Sequence, residues 1–413
     1  MRIDPSRHAW ISAPETAQVL AALPEARFVG GAVRNALLGV PVRDVDIAVP
    51  MPPDEVLARL KTHAIKAIPT GLDHGTVTAL AGGKLFEITS LRADVETDGR
   101  HAVVAFTDDW ARDAARRDFT INAMYAAPDG QVFDYATGME DLIAGRVRFM
   151  GDAARRIAED HLRILRLFRF HAWYGRGDID AEALHAAGAA RDRLKSLSGE
   201  RVAVELLRLL EAANPAPVLR VMAATGILPV LLPGALQPGR LEGLTRLDAE
   251  NGLAPDGLLR LAALLPDDTP NDTDVASGVA DDLRLSNAAR DRLAVMLADA
   301  PAMAARLSAQ GARALLYRMG PGTFRDRVML KWAASPHGAS AIQWRMLLAM
   351  ADNWQQPRFP LTGRDVMAAG LAQGPEVGRI LAAVETWWVE QDFAASESAL
   401  RDQMAALVAM VKA

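Results

Sequence analysis

The pattern of apolar and polar positions divides the chain near residue 145. Before that point, short β-branched runs bounded by Gly, Pro and Asp alternate with helical stretches, which is typical of a mixed sheet with helices. After it, apolar residues recur at helical spacing almost throughout, for example over 155–175 and 199–213. The pattern therefore predicts an α+β fold, in which a small head with a mixed sheet precedes an all-α remainder.

Start, stop and turn signals predict individual elements within the head. Gly-containing turns between β-branched runs predict hairpins at Gly82-Gly83 and at 128–130. Pro, Asp or Gly at the start of an apolar period predicts the first residue of a helix. The expected elements are a strand end, Gly-Gly turn and helix in FVGGAVRNALLG (28–39), a strand in VRDVDIAV (42–49), a helix in PPDEVLARLKTHA (52–64), hairpins within 76–91 and 124–135, and a capped helix in DDWARDAARRD (108–118).

Breaks in periodicity and composition indicate four parts of the chain. The clearest break is the stretch 266–282, which is rich in Asp and contains Pro, and which we interpret as a linker. The predicted parts are a head at 1–145, a helical neck at 146–213, a helical body at 214–282 that ends in this acidic linker, and a helical tail at 283–413.

Composition narrows the class of protein without naming it. The chain has 413 residues, too many for one ordinary domain, and it contains no Cys, so disulfides and thiolate metal sites are excluded. The net charge of −5 does not indicate a nucleic-acid binder, but residues 146–208 hold 13 Lys or Arg against 9 Asp or Glu. That local excess of positive charge is consistent with a surface that binds a polyanion, and also with an ordinary solvated helix face.

No charged and then apolar leader precedes the first predicted element, so the cytoplasm is the expected location. The most apolar window, 218–236, is interrupted by Arg, Gly and Pro before it reaches the roughly 20 residues that span a bilayer. We therefore expect no membrane segment.

Two carboxylates interrupt the apolar strand predicted at 42–49. Side chains alternate along a strand, so Asp44 and Asp46 would point to the same face, roughly 6 to 7 Å apart. Like charges this close are unfavourable unless cations compensate them, and a pair of Mg²⁺ ions suits such carboxylates. Because Mg²⁺ prefers carboxylates together with substrate phosphates, the pair points to phosphoryl or nucleotidyl transfer. A strand at a sheet edge with its polar face in water is the other interpretation.

Neighbouring motifs favour the metal interpretation. GGAVRN (30–35) puts Gly31 at the start of a helix whose N–H groups favour anions, with Arg34 as a charged donor. Glu87 lies on a later predicted strand and would supply a third carboxylate if that strand neighbours the first. Taken separately, a Gly-Gly turn and a strand Glu are both common in ordinary folds.

Six motifs follow one another along the chain. They are GGAVRNALLG (30–39), DVDIAV (44–49), HGTVT (74–78), FEITSLR (86–92), RRDFTINAM (116–124) and EDHLRILRLFRF (159–170). This order of motifs resembles the class II tRNA nucleotidyltransferases of the polymerase-β-like superfamily, which include CCA-adding enzymes and bacterial poly(A) polymerases. The resemblance spans roughly 25–215, and Asn35 departs from it where the family often has Asp.

The resemblance implies that a helix carrying 159–170 faces the incoming nucleotide. On such a helix Asp160 and Arg163 would be neighbours at i and i+3. An Asp accepts and an Arg donates, so the pair would match the amine and ring nitrogen of C and A and would reject U and G. A surface ion pair is the plainer interpretation. The resemblance also implies a nucleotide-binding role for Arg117, Asp118, Arg166 and Arg169, and a steadying role for Arg201 and Glu205.

The implied reaction is attack by an RNA 3′-hydroxyl on the α-phosphate of CTP or ATP. Asp44 and Asp46 would hold Mg²⁺, with Glu87 as a third catalytic carboxylate. The polar stretch 92–102 resembles the family's flexible loop. The expected partner is tRNA, through its 3′ end and acceptor arm, and the helical remainder would bind it by shape and backbone contacts, with 360–381 the most informative stretch of the tail.

Several rival functions remain open from the sequence. A poly(A) polymerase shares the whole head, and an enzyme that adds only CC or only A also fits the motifs. A catalytically dead RNA-binding protein would lack the metal carboxylates, which are present here. A transferase acting on a small molecule would not need so long a helical tail.

Overall fold

The computed structural model describes residues 2–72, 75–98, 101–232, 234, 236–267, 275–298, 307–335 and 341–412. The chain forms two compact units, Met1–Gly234 and Ala235–Ala413. The predicted boundaries at 145 and 213 lie within the first unit, and the four-part division stays a prediction.

The first unit contains all the strands and twelve of the α-helices among the described residues. The strands are β1 Arg27–Val29, β2 Asp46–Val49, β3 Lys66–Gly71, β4 Thr76–Ala81, β5 Lys84–Ser90, β6 Arg92–Asp98, β7 His101–Phe106, β8 Met124–Ala126 and β9 Val132–Asp134. The helices are α1 Ala9–Ser12, α2 Pro14–Ala22, α3 Gly31–Leu38, α4 Pro53–Thr62, α5 Trp110–Ala115, α6 Gly138–Ala144, α7 Ala153–Glu159, α8 Arg163–Tyr174, α9 Ala181–Ala189, α10 Gly199–Leu210, α11 Ala216–Ala224 and α12 Leu228–Leu231.

Seven strands form a mixed sheet in the order β3-β4-β5-β2-β1-β8-β9. Strands β2 and β5 are parallel, and the other neighbours are antiparallel. The predicted hairpins at Gly82-Gly83 and 128–130 are confirmed as the β4-β5 and β8-β9 connections. Strands β6 and β7 pair only with each other in the described sheets. The mixed sheet with its helical continuation confirms the predicted α+β class.

The two faces of the sheet are covered differently. Helices α2 and α4 pack against β3 and β4, where Val77 and Ala79 are buried. On the opposite face, α5 covers the half of the sheet around β1 and β8, because Ala114 and Trp110 pack there with Val29. The sheet is therefore closed on one face and, among the described residues, only half covered on the other.

The helices after the head do not follow the continuous pattern predicted for 155–175. Helix α7 ends at Glu159, Asp160 has an extended backbone (φ −152°, ψ 108°), and α8 begins at Arg163. The apolar residues Ile157, Leu165 and Phe168 are all buried, as their spacing predicts. The prediction was right about the buried face and wrong about continuity, since one extended residue breaks the helix without disturbing the apolar period.

The second unit is all-helical in its described residues. The helix α17 is kinked at Gly320, whose φ of 77° is left-handed, and Val275–Asp282 shows that the second half of the predicted linker is helical. The helices are α13 Pro238–Asn251, α14 Gly257–Leu264, α15 Val275–Asp282, α16 Asn287–Leu297, α17 Ala309–Ala334, α18 Ala341–Asp352, α19 Gly363–Ala368, α20 Pro375–Glu390 and α21 Glu397–Lys412.

An apolar cluster holds the end of this unit together. Helices α19, α20 and α21 share a buried cluster that includes Val366, Val384 and Leu400. The ring of Tyr317 from α17 packs at the edge of the same cluster, with its centroid 5.8 Å from that of Trp388. Among the described residues, no helix combines the length and apolarity needed to cross a membrane.

Candidate active site

Asp46 and Glu87 lie side by side on neighbouring strands. Asp46 is the first residue of β2 and is in register with Glu87 of the parallel strand β5. Paired residues of neighbouring strands project to the same face, about 4.8 Å apart across the sheet. The expectation that the strand carrying Glu87 neighbours the strand carrying Asp46 is therefore confirmed, and the two carboxylates converge.

Asp44 lies outside the strand, so the prediction that both aspartates share one strand face is wrong. Strand β2 begins only at Asp46, and Asp44 is an exposed residue in the preceding irregular segment. The physical reason lies in β1, which pairs Arg27 with Ala48 and Phe28 with Ile47 and then turns away at Gly30. No partner on that side extends far enough to hold Asp44 in the sheet.

The carboxylates carry negative charge that nothing in the described chain neutralises directly. The side chains of Asp44, Asp46 and Glu87 have no hydrogen bond or ion pair to another described residue. Burial and the nearby Glu87 raise the pKa of Asp46 above its ordinary value, although Arg117 and Arg34 partly oppose this. A bound cation would relieve this repulsion, and carboxylate oxygens suit a hard divalent ion.

The described residues contain no group of three or more His, Cys, Asp or Glu side chains gathered closely enough to hold a metal ion alone. Such a site therefore needs further oxygens from a substrate. This is the donor set expected where carboxylates and substrate phosphates share a cation, and it differs from an all-protein metal cage.

The Gly-Gly turn links β1 to α3 directly beside the carboxylates. Gly30 has a φ of 67° and a ψ of −122°, a conformation that favours glycine, and α3 starts at Gly31. A side chain at Gly30 would also meet Arg117, whose Nη1 lies 3.8 Å from the position of a Cβ. The turn therefore places the first N–H groups of α3 next to β1 and β2, where the motif predicts an anion site.

Arg34 is buried and already has protein partners. Its guanidinium donates to the side-chain oxygen of Asn122, to Oδ1 of Asn35 (3.0 Å from Nη2) and to the hydroxyl of Tyr174 (2.9 Å). Burial lowers the pKa of Arg34. Arg34 therefore braces the turn between α3, the 3₁₀ helix Thr120–Asn122 and α8, in addition to any contact with a substrate.

Arg117 is oriented by a fully buried carboxylate that the sequence reasoning missed. Asp113 accepts from Arg117 (Nη2, 3.0 Å), from Arg116 (Nε, 2.8 Å) and from the hydroxyl of Tyr125 (2.6 Å). Burial opposes ionisation of Asp113, but the two arginines outweigh it and hold its pKa below the ordinary value. The signal in the sequence was the spacing, since Asp113 of α5 precedes the two arginines, which follow the end of that helix, by three and four residues.

Three of the predicted nucleotide-binding residues, Asp118, Arg166 and Arg169, form an ionic network with Glu205. Arg166 donates to Asp118 (Nε to Oδ2, 2.9 Å) and contacts Glu205 (3.3 Å). Arg169 pairs with the other oxygen of Glu205 at 2.9 Å. Asp118 also accepts from Asn122 at 3.0 Å. Side chains from three separate segments are therefore held together, including the Glu205 that we expected to steady the pocket.

The charges in this network are strongly coupled. Burial works against ionisation of Asp118, but Arg166 and Asn122 outweigh it and lower its pKa. Burial lowers the pKa of Arg169 to about 10, and the nearby Arg166 and Arg208 act in the same direction. Arg166 and Arg169 therefore compensate the charges of Asp118 and Glu205, and Arg208 adds a further positive charge near Arg169.

Asp160 and Arg163 are not neighbours on one helical face, because the chain breaks between α7 and α8. Asp160 pairs with Arg201 of α10 (2.8 Å), and Arg163 pairs with Glu159 (2.5 Å). The Nη1 of Arg163 also donates to the carbonyl of Arg156, while its Nε and Nη2 have no partner in the described part of the chain. Asp160 is still a hydrogen-bond acceptor and Arg163 a donor, as predicted. Arg201 holds the first residue in place and Glu159 holds the second.

The stretch 92–102, which resembles a flexible loop, forms most of a hairpin from β6 and β7. Its side chains at 94–104, including Asp94, Asp98 and Arg100, lie outside the described residues. The backbone N–H of Arg92, at the start of β6, donates to Asp113 (3.3 Å). The carboxylate that orients Arg117 therefore also contacts the base of the hairpin.

These features together define a class of protein. A mixed sheet with converging carboxylates, a Gly-Gly turn at a helix start, and a buried arginine network on the neighbouring helices constitute a polymerase-type nucleotidyltransferase. Two family models agree, one described as "Poly A polymerase head domain" over residues 26–148 and one as "Probable RNA and SrmB- binding site of polymerase A" over residues 178–237.

Relatives match nearly the whole chain. "CCA tRNA nucleotidyltransferase 1, mitochondrial" of Mus musculus is 34% identical over 386 residues, 89% of this chain and 84% of the relative. The "CCA-adding enzyme" of Levilactobacillus brevis is 32% identical over 368 residues, 87% of this chain and 88% of the relative. The chain belongs to the family of CCA-adding enzymes, the class II tRNA nucleotidyltransferases.

The fold agrees with this assignment. The crystal structure of the Bacillus stearothermophilus CCA-adding enzyme in complex with CTP superimposes with a TM-score of 0.73 and 24% identity, over 97% of this chain and 99% of that one. The similarity extends beyond the head to the helical remainder, which confirms the predicted succession of a nucleotidyltransferase head and helical parts.

Proposed function

We propose that this protein adds C, C and A to the 3′ end of tRNA from CTP and ATP without a nucleic-acid template. The observation that carries the proposal is the convergence of Asp46 and Glu87 on neighbouring strands, in a chain that matches CCA-adding relatives over most of its length. In the reaction, the 3′-hydroxyl oxygen of the RNA bonds to the α-phosphorus, the bond to the β-phosphate oxygen breaks, and pyrophosphate leaves.

In this proposal Asp44 and Asp46 would hold two Mg²⁺ ions, with Glu87 as a third catalytic carboxylate. When bound, the metal supplies positive charge that lowers the pKa of the attacking hydroxyl and offsets charge on the leaving pyrophosphate. The unneutralised carboxylates and the raised pKa of Asp46, caused by burial and Glu87, support this assignment. Asp44 would contribute its carboxylate from the irregular segment before β2, where its side chain is exposed.

The chain's other residues bind and orient the nucleotide. The N–H groups after Gly30, at the start of α3, bind a phosphate, and Arg117 binds beside them in the orientation imposed by Asp113. Asp118 binds the ribose hydroxyl and, through Arg166, links the sugar to the pocket helices. Arg169 adds positive charge for the triphosphate.

Base selection rests on Asp160 and Arg163. Asp160 accepts from the exocyclic amine of C or A, and the free Nε and Nη2 of Arg163 donate to the adjacent ring nitrogen. Uracil and guanine present a carbonyl beside a ring N–H, so each would leave buried groups unpaired at about 1 to 3 kcal/mol per group. Arg201 and Glu159 hold the pair in position, which supports a fixed protein template.

The helical part beyond the neck binds the acceptor arm of tRNA, by contacts to backbone and shape. The match of 178–237 to a model described as an RNA-binding site supports an RNA partner. The hairpin of β6 and β7 helps the pocket change from C to A, and equal C and A incorporation after its deletion would overturn that role. The cytoplasmic location stays a prediction, because the mouse relative is described as mitochondrial.

The proposal is tested with tRNA that lacks its last three nucleotides, the purified protein and Mg²⁺. CTP, ATP, UTP and GTP are supplied singly, then CTP with ATP, and product length is measured at single-nucleotide resolution. Growth by two nucleotides with CTP and by three with both is the expected result. Long tails from ATP alone would identify a poly(A) polymerase instead, and arrest at two or addition of only one A would identify a partial enzyme.

A further inference from the structure

One part of the catalytic face of the sheet is left open. We propose that the open face, formed by the outward side chains of β3, β4 and β5, binds the single-stranded 3′ end of the acceptor RNA next to the carboxylates. This inference rests on the proposed function and deepens it, because it names the surface along which the attacking strand lies. Thr76 and Thr78 of the HGTVT motif at 74–78 lie on this face.

The strand order separates the two substrates. The nucleotide-binding residues lie at the β1 side of the carboxylates, on the Gly30 turn and on the segment 117–122 before β8. The strands β4 and β3 lie on the other side of β5. In phosphoryl transfer the attacking and leaving oxygens are roughly in line on opposite sides of phosphorus. With the nucleotide on the β1 side, the side of β4 and β3 is left for the approach of the RNA hydroxyl.

A row of side chains leads across the open face from the carboxylates. Asp46 is in register with Glu87, Glu87 with Thr78 of β4, and Thr78 with Ile68 of β3. Residues paired in this way project to the same face. The row ends on the edge strand β3, three strand spacings or roughly 14 Å from β2. This distance suits a short single-stranded end and is too small for a duplex arm.

The exposure of its side chains shows that this face lies at the protein surface and does not belong to the hydrophobic core. Leu85 is 66% exposed and Ile68 is 43% exposed, and Lys66 is exposed on the same face of β3. On the opposite face of the same strands, Val77 and Ala79 are buried under α2 and α4. The core of these strands lies on their other face. The apolar residues of the open face are therefore available to a ligand.

The chemistry of the open face fits single-stranded RNA. Thr70 and Thr78 hydrogen-bond to each other at 2.9 Å, and such hydroxyls bond equally well to phosphate oxygens and to ribose 2′-hydroxyls. Neutral hydroxyls next to Glu87 avoid extra negative charge where the RNA backbone would approach. Ile68 and Leu85 offer apolar contact to sugars and bases, and Lys66 at the edge offers a cation to a phosphate.

The test compares matched charge reversals on the two sides of the sheet. Lys66→Glu changes the open face, and Lys61→Glu makes the same change on α4, which covers the other face. Both lysines are exposed. With tRNA that lacks its last three nucleotides, Lys66→Glu is expected to raise the KM for the RNA about fivefold to tenfold and to leave the KM for CTP within twofold. Lys61→Glu is expected to change neither constant.

A second pair of variants removes one hydroxyl without changing charge. Thr78→Val alters the open face, and Thr62→Val alters an exposed threonine on α4 whose hydroxyl donates to the carbonyl of Ala58. Binding of an RNA with a 3′-deoxy end, which cannot be extended, is measured by fluorescence anisotropy. Thr78→Val is expected to weaken it about threefold or more, and Thr62→Val less than twofold. Melting temperatures confirm that all four variants fold.

The outcomes separate the inference from the proposed function. If the wild type extends RNA but Lys66→Glu and Thr78→Val match their α4 controls, the open face does not bind the acceptor and the inference is overturned. An increase in the KM for CTP with an unchanged KM for RNA also overturns it. If the wild type extends no RNA, the proposed function fails, whereas unchanged anisotropy of the 3′-deoxy RNA in Thr78→Val overturns the open-face inference by itself.

Discussion

The two ends of the active site treat their charges in opposite ways. Among described residues, the carboxylates Asp46 and Glu87 have no ionic partner, and the pKa of Asp46 is raised by burial and by Glu87. At the other end of the site, Asp118 and Glu205 are paired with Arg166, and the pKa of Asp118 is lowered in spite of burial. The carboxylates at one end are uncompensated, whereas those at the other end are neutralised by arginines.

This difference indicates which residues exchange their partners during the reaction. A carboxylate without a partner is costly to the folded protein, and it is retained where a cation or substrate completes it. A carboxylate in an ion network instead stabilises the geometry of its neighbours, because removing one member leaves the others buried without compensation. Substitutions at the two ends should therefore affect activity and stability in opposite proportions.

The largest effect is expected for Asp46→Asn. Activity should fall by at least about a thousandfold, because the substitution removes a charge that stabilises the transition state. The melting temperature should be unchanged or higher, because an acid whose pKa is raised by folding destabilises the ionised folded state at pH 7. Single-turnover addition of C and a thermal melt measure both quantities, with Asp54→Asn, an exposed residue of α4, as the control. A clear loss of stability would contradict the contrast.

Glu205→Gln should behave in the opposite way. Glu205 is buried and contacts both Arg166 and Arg169, so neutralising it leaves two arginines short of compensation. The free energy of unfolding should fall by about 3 kcal/mol. Chemical unfolding measures this loss, and Glu182→Gln, an exposed residue of α9, is the control. A double variant with Arg169→Met should recover part of the stability, and the absence of recovery would show that Glu205 acts on something other than these arginines.

The stabilising effect of ionised Asp118 should depend on pH. Its pKa is lower in the folded protein because of Arg166 and Asn122, so its stabilising contribution is present at pH 7. That contribution is lost as the pH falls below the unfolded value of about 3.9 and through the lower folded value. Asp118→Asn should therefore cost about 1 to 3 kcal/mol at pH 7 and progressively less below pH 4. A difference that is constant with pH would contradict the ionic role.

Asp160→Ala should relax base choice more than it changes rate. The loss of one acceptor should reduce discrimination against UTP and GTP by about tenfold, since one unpaired group is worth about 1 to 3 kcal/mol. Arg201→Ala should have the same direction and a smaller size, because Arg201 only holds Asp160. Competition between CTP and UTP in one reaction measures the ratio. Unchanged selectivity in Asp160→Ala would remove Asp160 from base recognition.

The smallest effect is expected for Asn35→Asp, which restores the residue common in the family. The new carboxylate would accept the bonds that Asn35 Oδ1 now accepts from Arg34, 3.2 Å to Nε and 3.0 Å to Nη2. It would lose only the long contact from Asn35 to the carbonyl of Pro41, at 3.4 Å. Activity should change less than about twofold and stability by no more than about 1 kcal/mol. A large change in either would show that Arg34 depends on a neutral neighbour.

Local elements followed closely from the sequence. The helix at 31–38 and the β4-β5 hairpin formed where Gly-Gly pairs predicted a turn. The α5 helix begins after Asp109, which caps it by accepting from the backbone N–H groups of Ala111 and Arg112. Such signals act over three or four residues, so they are readable from the chain alone.

Local pattern failed where a distant contact decided the outcome. Periodicity over 155–175 could not show the break at Asp160, since the buried face continues through it. Nor could alternation show that β2 begins only at Asp46, because this depends on where β1 turns away. The buried Asp113 went unnoticed because its spacing from Arg116 and Arg117 is also that of an ordinary surface ion pair.

The sequence by itself determined the fold class, the family and the chemical types at the site, because motif order and residue chemistry are properties of the chain. The tertiary structure alone decided which charges are compensated. Arg166 pairs with residues 48 and 39 positions away, and Asp46 meets Glu87 through strand register. Those contacts depend on the packing of strands and helices far apart in sequence, and local propensity carries no information about them.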